Sequence, residues 1–342
     1  MALTNFPNGI TSFGVPVLGT IGGLPFTGNY YFVDPVNGAD GNDGTPELPL
    51  KTLYGALAKC TAGNNDVVVL VGDGTAAGSA RLSTALAQSI NSAATTGTLN
   101  WNKNATHLIG VAAPTSVAQR ARIAPPTGTY TAATFNSDAF INVTASGCYF
   151  ANLSVFCGFS TGSASMIAWT DSGSRNAYSN VNIYGMADAA SAGGANARSL
   201  KLNGGGEHTF MNCTLGGDTV ARSAANATVE LAGGTARNSF IDCVFPFQCS
   251  AGTPLGLKVA ATGMDRYALF KNCSFINNVG STSTSMTALA TLAASAGGQV
   301  VVKNSMMVGI GEFGSDASSL AQIYVDMPAP SASAGGIGVN PS

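Results

Sequence analysis

The sequence predicts an all-β fold of the solenoid class, in which coils of about thirty residues stack as a parallel β-helix. Three observations lead there. A short motif recurs six times in register, apolar stretches with glycine-containing turns precede most copies, and charge is scarce throughout. Lys plus Arg number 15 and Asp plus Glu 17 in 342 residues, so 9% of the chain is charged, against about 25% in ordinary soluble domains.

The motif runs Phe150-Ala-Asn152-Leu-Ser-Val-Phe156, then Tyr178-Ser-Asn180-Val-Asn-Ile-Tyr184 and Phe210-Met-Asn212-Cys-Thr-Leu215. It continues as Phe240-Ile-Asp242-Cys-Val-Phe245, Phe270-Lys-Asn272-Cys-Ser-Phe275 and Val302-Lys-Asn304-Ser-Met-Met307. The shared Asn/Asp positions 152, 180, 212, 242, 272 and 304 are separated by 28, 32, 30, 30 and 32 residues. Leu200-Lys-Leu202 before Gly204, Val229-Glu-Leu231 before Gly233 and Leu257-Lys-Val259 before Gly263 supply preceding strands and turns. Each unit therefore reads strand, bend, strand, loop. Such a unit cannot bury its own apolar face, and stacking coils at about 4.8 Å solves that. An amide at the bend can bond the backbone and its equivalent in the next coil, which makes Asn152, Asn180, Asn212, Asp242, Asn272 and Asn304 a structural column. Cys213, Cys243 and Cys273 follow that column by one residue and read as small core residues.

Residues 1–28 lie ahead of the repeats. From Met1 to Phe26 there is no charged side chain, and Pro7, Pro16 and repeated glycines forbid a long helix. Phe6, Ile10, Phe13, Val15, Val17, Leu18 and Phe26 are too many apolar groups for a solvated tail. Two destinations are open: the segment folds back over the solenoid end, or it is an extended docking arm buried against another subunit or protein. The second is preferred. The organisation expected is an arm over 1–28, the β-helix over 29–313 and a linker-like tail over 314–342.

Composition narrows function. A net charge of −2 without basic clusters argues against nucleic acid. No apolar run is long enough to span a bilayer, and no secretory leader is expected from Met1–Ile10. Seven cysteines without a CxxC, and two histidines without close partners, point to no metal site and no cofactor. Asp40, Asn42 and Asp43 form an Asx-stabilised turn rather than a calcium loop, since no distal bidentate Glu follows.

For catalysis, a polysaccharide-cleaving solenoid needs grouped carboxylates on one outer face. Arg175, Glu207 and Arg237 precede their motif Asn/Asp by five residues and Arg266 by six, which stacks them into a mixed-sign ladder. That ladder is read as structural. Asp171, Asp218 and Asp265 are expected in different loops and form no repeated pair, and Trp101 and Trp169 are distant in sequence. No catalytic residue is assigned.

One stretch also carries a family resemblance. Tyr30-Tyr-Phe-Val-Asp-Pro-Val-Asn-Gly-Ala-Asp-Gly-Asn-Asp-Gly-Thr45, Pro49-Leu-Lys-Thr-Leu-Tyr-Gly-Ala-Leu57 and Asn64-Asn-Asp-Val-Val-Val-Leu-Val-Gly72 resemble the opening of right-handed parallel β-helix proteins of the pectate-lyase-like superfamily. The resemblance implies a first strand, a Gly/Asp/Asn-rich loop and a short N-terminal capping helix. Residues 1–28 resemble the leading segments of phage-encoded β-helix proteins, which join a solenoid to a particle. Fold alone does not decide among the functions it serves. The expectation is a bacteriophage virion structural protein, a capsid decoration or cement protein. It would be made in the host cytoplasm and anchored through its arm to the major capsid protein or another virion protein. A homo-oligomer, with a trimer favoured, is expected, with neither nucleic acid nor membrane as partner. The alternative is a tailspike-type β-helix that binds or cleaves host surface polysaccharide. A secreted pectate-lyase relative is the third reading.

Overall fold

The computed structural model describes residues 27–71, 98–111, 121–124, 139–158, 164–279, 284–314, 319 and 322–326, with the backbone of 11–12 and 15–16 besides. Its body is a right-handed parallel β-helix. One sheet stacks eight strands in chain order: Leu99–Trp101, Ala139–Val143, Ile167–Asp171, Arg198–Asn203, Ala227–Ala232, Leu255–Val259, Met286–Leu292 and Ile310–Gly314. The other sheet starts at Tyr30–Val33, Val67–Val71 and His107–Val111 and continues through Tyr149–Gly158 and Ala177–Ala187. From there each coil contributes a strand on either side of the Asn/Asp bend, as in Thr235–Ile241 and Val244–Cys249, or Met264–Lys271 and Ser274–Asn277. Pairing between coils is parallel and keeps the repeat in register, with Phe210 beside Phe240 and Phe240 beside Phe270.

The bend has a backbone cause. Asn152, Asn180, Asn212, Asp242, Asn272 and Asn304 have φ of 55, 54, 53, 55, 55 and 48°. Asn and Asp enter this left-handed region more readily than other side chains with a Cβ. The side chains then bond from coil to coil. Asn180 Nδ2 donates to Asn152 Oδ1 at 3.0 Å, Asn272 Nδ2 to Asp242 Oδ1 at 2.9 Å, and Asn152 Nδ2 to the Gly110 carbonyl at 2.8 Å.

Inside, the residue two before each bend builds an aromatic stack. Tyr178, Phe210, Phe240 and Phe270 lie 4.3, 4.8 and 4.6 Å apart between successive ring centres, nearly coplanar in orientation. Offset stacking of this kind adds to the burial of each ring. Trp101 and Trp169, distant in sequence, both meet Phe150 edge-on, at 5.8 and 5.0 Å. All seven cysteines are free and buried. The thiols of Cys213, Cys243 and Cys273 donate to the carbonyls of Tyr178, Phe210 and Phe240.

The first coil is capped by the helix Leu53–Lys59, whose Leu53, Ala56 and Leu57 join the core. Thr52 Oγ1 accepts the Gly55 N–H at 2.9 Å, satisfying one of the free amides at the helix start. Asp40 accepts the Lys51 and Thr52 N–H groups at 3.1 and 2.9 Å, and Asn42 donates to the Pro49 carbonyl at 2.8 Å, so this loop is an Asx-stabilised turn. At the other end the solenoid runs past residue 313. Ile323–Val325 pairs with Val300–Val302, which places part of the segment read as tail within the sheet.

Among the described residues no helix is long and apolar enough to cross a membrane. Phe6, Ile10, Phe13, Val17, Leu18 and Phe26 lie outside the described residues. The backbone of Val15 pairs antiparallel with that of Ser12.

Candidate functional site

The chain enters the solenoid at a fixed point. Asn29 donates its N–H to Asp66 Oδ1 at 2.7 Å and its carbonyl accepts the Val67 N–H at 2.8 Å. The buried Asp66 carboxylate also accepts Asn64 Nδ2 and the Thr61 N–H, both at 2.7 Å. Gly28 passes so close to the next coil that a Cβ would sit 2.4 Å from the carbonyl carbon of Asn65. The segment ahead of Asn29 therefore joins the first coil through Gly28, a position that tolerates only glycine.

The charged ladder occupies the bend between the two sheets, with Arg175, Glu207, Arg237 and Arg266 at φ of 59, 59, 52 and 81°. Arg175 Nε lies 2.7 Å from Glu207 Oε2, and Arg237 Nη1 3.2 Å from Glu207 Oε1. The hydrogen bond and charge of Arg175 hold the Glu207 carboxyl below the ordinary range, with Arg237 adding to both. Arg266 does not join this chain and pairs with its neighbour Asp265 at 3.1 Å. Exposed pairs of this kind contribute little to stability.

The other carboxylates of interest are also engaged. Asp171, read from the sequence as part of a loop, ends a strand and points into the core. There it accepts the Tyr178 hydroxyl, Asn176 Nδ2 and the Gly173 N–H. His208 Nδ1 stands 3.5 Å from it, with both residues fully buried. Glu230 accepts the buried Arg198 guanidinium at 2.7 Å. Sequence reasoning missed this pair, because an arginine near the start of an alternating strand reads as solvated. Asp188 caps the helix Ala189–Ala192. Acid and base work on a glycosidic bond needs two carboxyl groups facing a common space, and Asp171, Glu207 and Glu230 are each committed to other partners. Both tryptophans are sealed in the core, so neither offers a sugar-stacking surface. Among the described residues no group of three His, Cys, Asp or Glu side chains is arranged to hold a metal ion.

No protein-family model matches the chain, and no curated protein matches it. Solved structures do resemble it. A rhamnogalacturonan lyase superposes with a TM-score of 0.55 at 18% identity, covering 85% of this chain and 71% of that one. Pectate lyase Pel9A gives 0.53 at 15% identity, covering 81% of this chain, which spans 62% of the lyase's length. The ORF18 protein of Geobacillus virus E2 gives 0.42 at 11% identity, covering 77% of this chain and 49% of that one, a level that carries no argument. At such identities the likeness concerns architecture alone. The stacked coils, the left-handed Asn/Asp bend and the helix-capped first turn give this chain the parallel β-helix fold that pectate lyases share.

Proposed function

We propose that the chain is a bacteriophage virion structural protein, a capsid decoration or cement protein whose β-helix body is anchored by residues 1–28. The observation that carries this reading is the junction at Asn29. A charge-free segment bearing Phe6, Ile10, Phe13, Val15, Val17, Leu18 and Phe26 leads directly into a first strand that is hydrogen-bonded to the next coil from Asn29. Burying seven such side chains is worth about 1.5–3 kcal/mol each. The gross sum of roughly 10–20 kcal/mol is of the same size as the association cost of about 4–15 kcal/mol plus side-chain ordering, so the arm's fit to its partner sets the affinity. The partner is the major capsid protein or another virion protein, and the assembled form is a homo-oligomer, a trimer by preference. The protein is made in the host cytoplasm and resides on the virion, without a cofactor.

The fold itself favours a second reading, a tailspike-type protein that binds or cleaves host surface polysaccharide, because structural neighbours named as a pectate lyase and a rhamnogalacturonan lyase share the architecture. The engagement of Asp171, Glu207 and Glu230 weighs against it. Incubating the chain with host polysaccharide decides the point: released oligosaccharide would replace the structural reading with an enzymatic one. The docking reading is tested with Phe6→Asp and Phe13→Asp in the full chain. Each places a charge in the buried arm and is expected to abolish association with particles while leaving the body folded. Association at unchanged affinity would overturn the reading.

A further inference from the structure

The last coil ends in a strand with an open side. Met306–Val308 pairs with Ser274–Asn277 and, among the described residues, with no strand beyond it. Met306 donates its N–H back to the Cys273 carbonyl at 2.9 Å. Successive strand residues turn their backbone groups to alternate sides, so those of Met307 face the open side. Such an edge is a template on which another chain can pair. Met306 is exposed and Val308 half-buried, and neither carries a charge that would repel one.

The chain arrives at this edge in register. Val325 stands beside Val302, and Asp326 donates its N–H to the Val302 carbonyl at 3.2 Å. Asp326 therefore lies over Lys303. Its Oδ1 accepts the Asn304 N–H at 2.8 Å, the group that at Asn272 goes to the Lys303 carbonyl. Residues from Met327 onward lie outside the described ones. Counted on from Asp326, Met327 falls at the level of Asn304, Pro328 at Ser305, Ala329 at Met306 and Pro330 at Met307. In the preceding coil the residue at the Ser305 level, Cys273, donates its N–H forward to Ser305 Oγ at 3.0 Å. The Met306 level donates back, and alternation turns the Met307 level forward again. Pro328 and Pro330 thus stand at the two levels whose N–H groups would face away from the solenoid, and Ala329 keeps the one that faces back.

We infer that residues 327–331 pair in parallel with the open side of Met306–Val308 and end the stack. Proline has no N–H to offer and is tolerated in a sheet where the ladder stops. The two prolines leave a further strand without the donors it needs, while the Ala329 N–H bonds the Ser305 carbonyl. The occupant comes from the same chain, because Asp326 is already fixed one rung above Lys303 and no connecting loop is required. The edge lies at the opposite end of the solenoid from Asn29, so this role goes beyond docking and does not depend on it.

The test uses the full chain with Met306→Cys/Ala329→Cys, two positions expected side by side on adjacent rungs. Neighbouring strands lie about 4.8 Å apart, within disulfide reach. In a glutathione redox buffer both introduced thiols should be lost within one chain, and peptide mass mapping should join 306 to 329. The native cysteines are buried and do not compete. Met306→Cys/Ser333→Cys, four positions out of register, should keep its thiols. Bonds formed only between chains, no bond, or equal closure in the displaced pair would overturn the inference. Pro328→Ala/Pro330→Ala returns two donors to the outer edge and should add concentration-dependent association in sedimentation velocity, with circular dichroism unchanged. Deleting residues 327–342 should do the same by opening Met306–Val308, and Val308→Lys in the deleted chain should reverse it. If both the proline variant and the deletion sediment as the parent does, the edge needs no cover and the inference fails. None of these readouts involves particles, so they stand or fall apart from the docking reading.

Discussion

Lowering the pH from 7 to 4 removes a definable part of the stability through His107. This side chain is buried in the second sheet, where Nδ1 accepts the Tyr149 N–H at 3.0 Å and Nε2 faces Asn65 Oδ1 at 3.4 Å. Nδ1 must therefore be unprotonated, and a second proton would break that bond. Burial pushes the imidazole down from 6.5 to about 4, against a smaller opposing pull from Asp66. The folded pKa is depressed, so the unfolded chain binds the proton first as pH falls. Stability is then complete above about 6.5, declines through the window below it and levels off beneath about 4. Linkage gives a loss of ~2 kcal/mol by pH 5 and ~3 kcal/mol by pH 4. Burial also depresses His208, against the opposing charge of Asp171, and it contributes in the same direction. His107→Asn keeps an acceptor for the Tyr149 amide but cannot titrate. Guanidinium unfolding of both proteins across this range should therefore show the parent losing ~3 kcal/mol more than the variant. Equal slopes would refute the account of His107.

Three further outcomes follow from the interior and the bends. Phe240→Ala, which opens the ring stack between Phe210 and Phe270, should cost ~3–5 kcal/mol in thermal or chemical unfolding. Phe240→Leu should cost far less, and equal losses would contradict the packing argument. Asn180→Ala forces an alanine to φ near 54° and removes the bond to Asn152, for an expected loss of ~1–3 kcal/mol. Asn180→Gly should recover the conformational part. Burial raises the Cys60 and Cys148 thiols to about 12 and about 11, and all seven cysteines are enclosed. A thiol reagent at pH 8 should therefore titrate none in the native state and seven in denaturant; rapid native labelling would show the core to be open.

Much of the solenoid was readable in advance, because its bends and ring stack are local and periodic. The Asn/Asp residue needs a left-handed φ, the ring two before it must face inward, and both conditions recur every thirty residues. Ile323–Val325 escaped notice because three apolar residues carry no measurable period, and only pairing with Val300–Val302 makes them a strand. The Asp171–His208 contact arises from two coils meeting at a corner, where a polar residue can turn inward against the alternation. Trp101 and Trp169 gave no sign in the sequence that they share Phe150.

The docking claim meets its most direct test in a sedimentation assay of purified phage particles lacking this protein, mixed with the full chain or with the chain deleted for residues 1–28. The account predicts that the full chain pellets with the particles in fixed stoichiometry. The deleted chain should stay in the supernatant and remain folded by circular dichroism. Saturable pelleting of the deleted chain with the same affinity would contradict it.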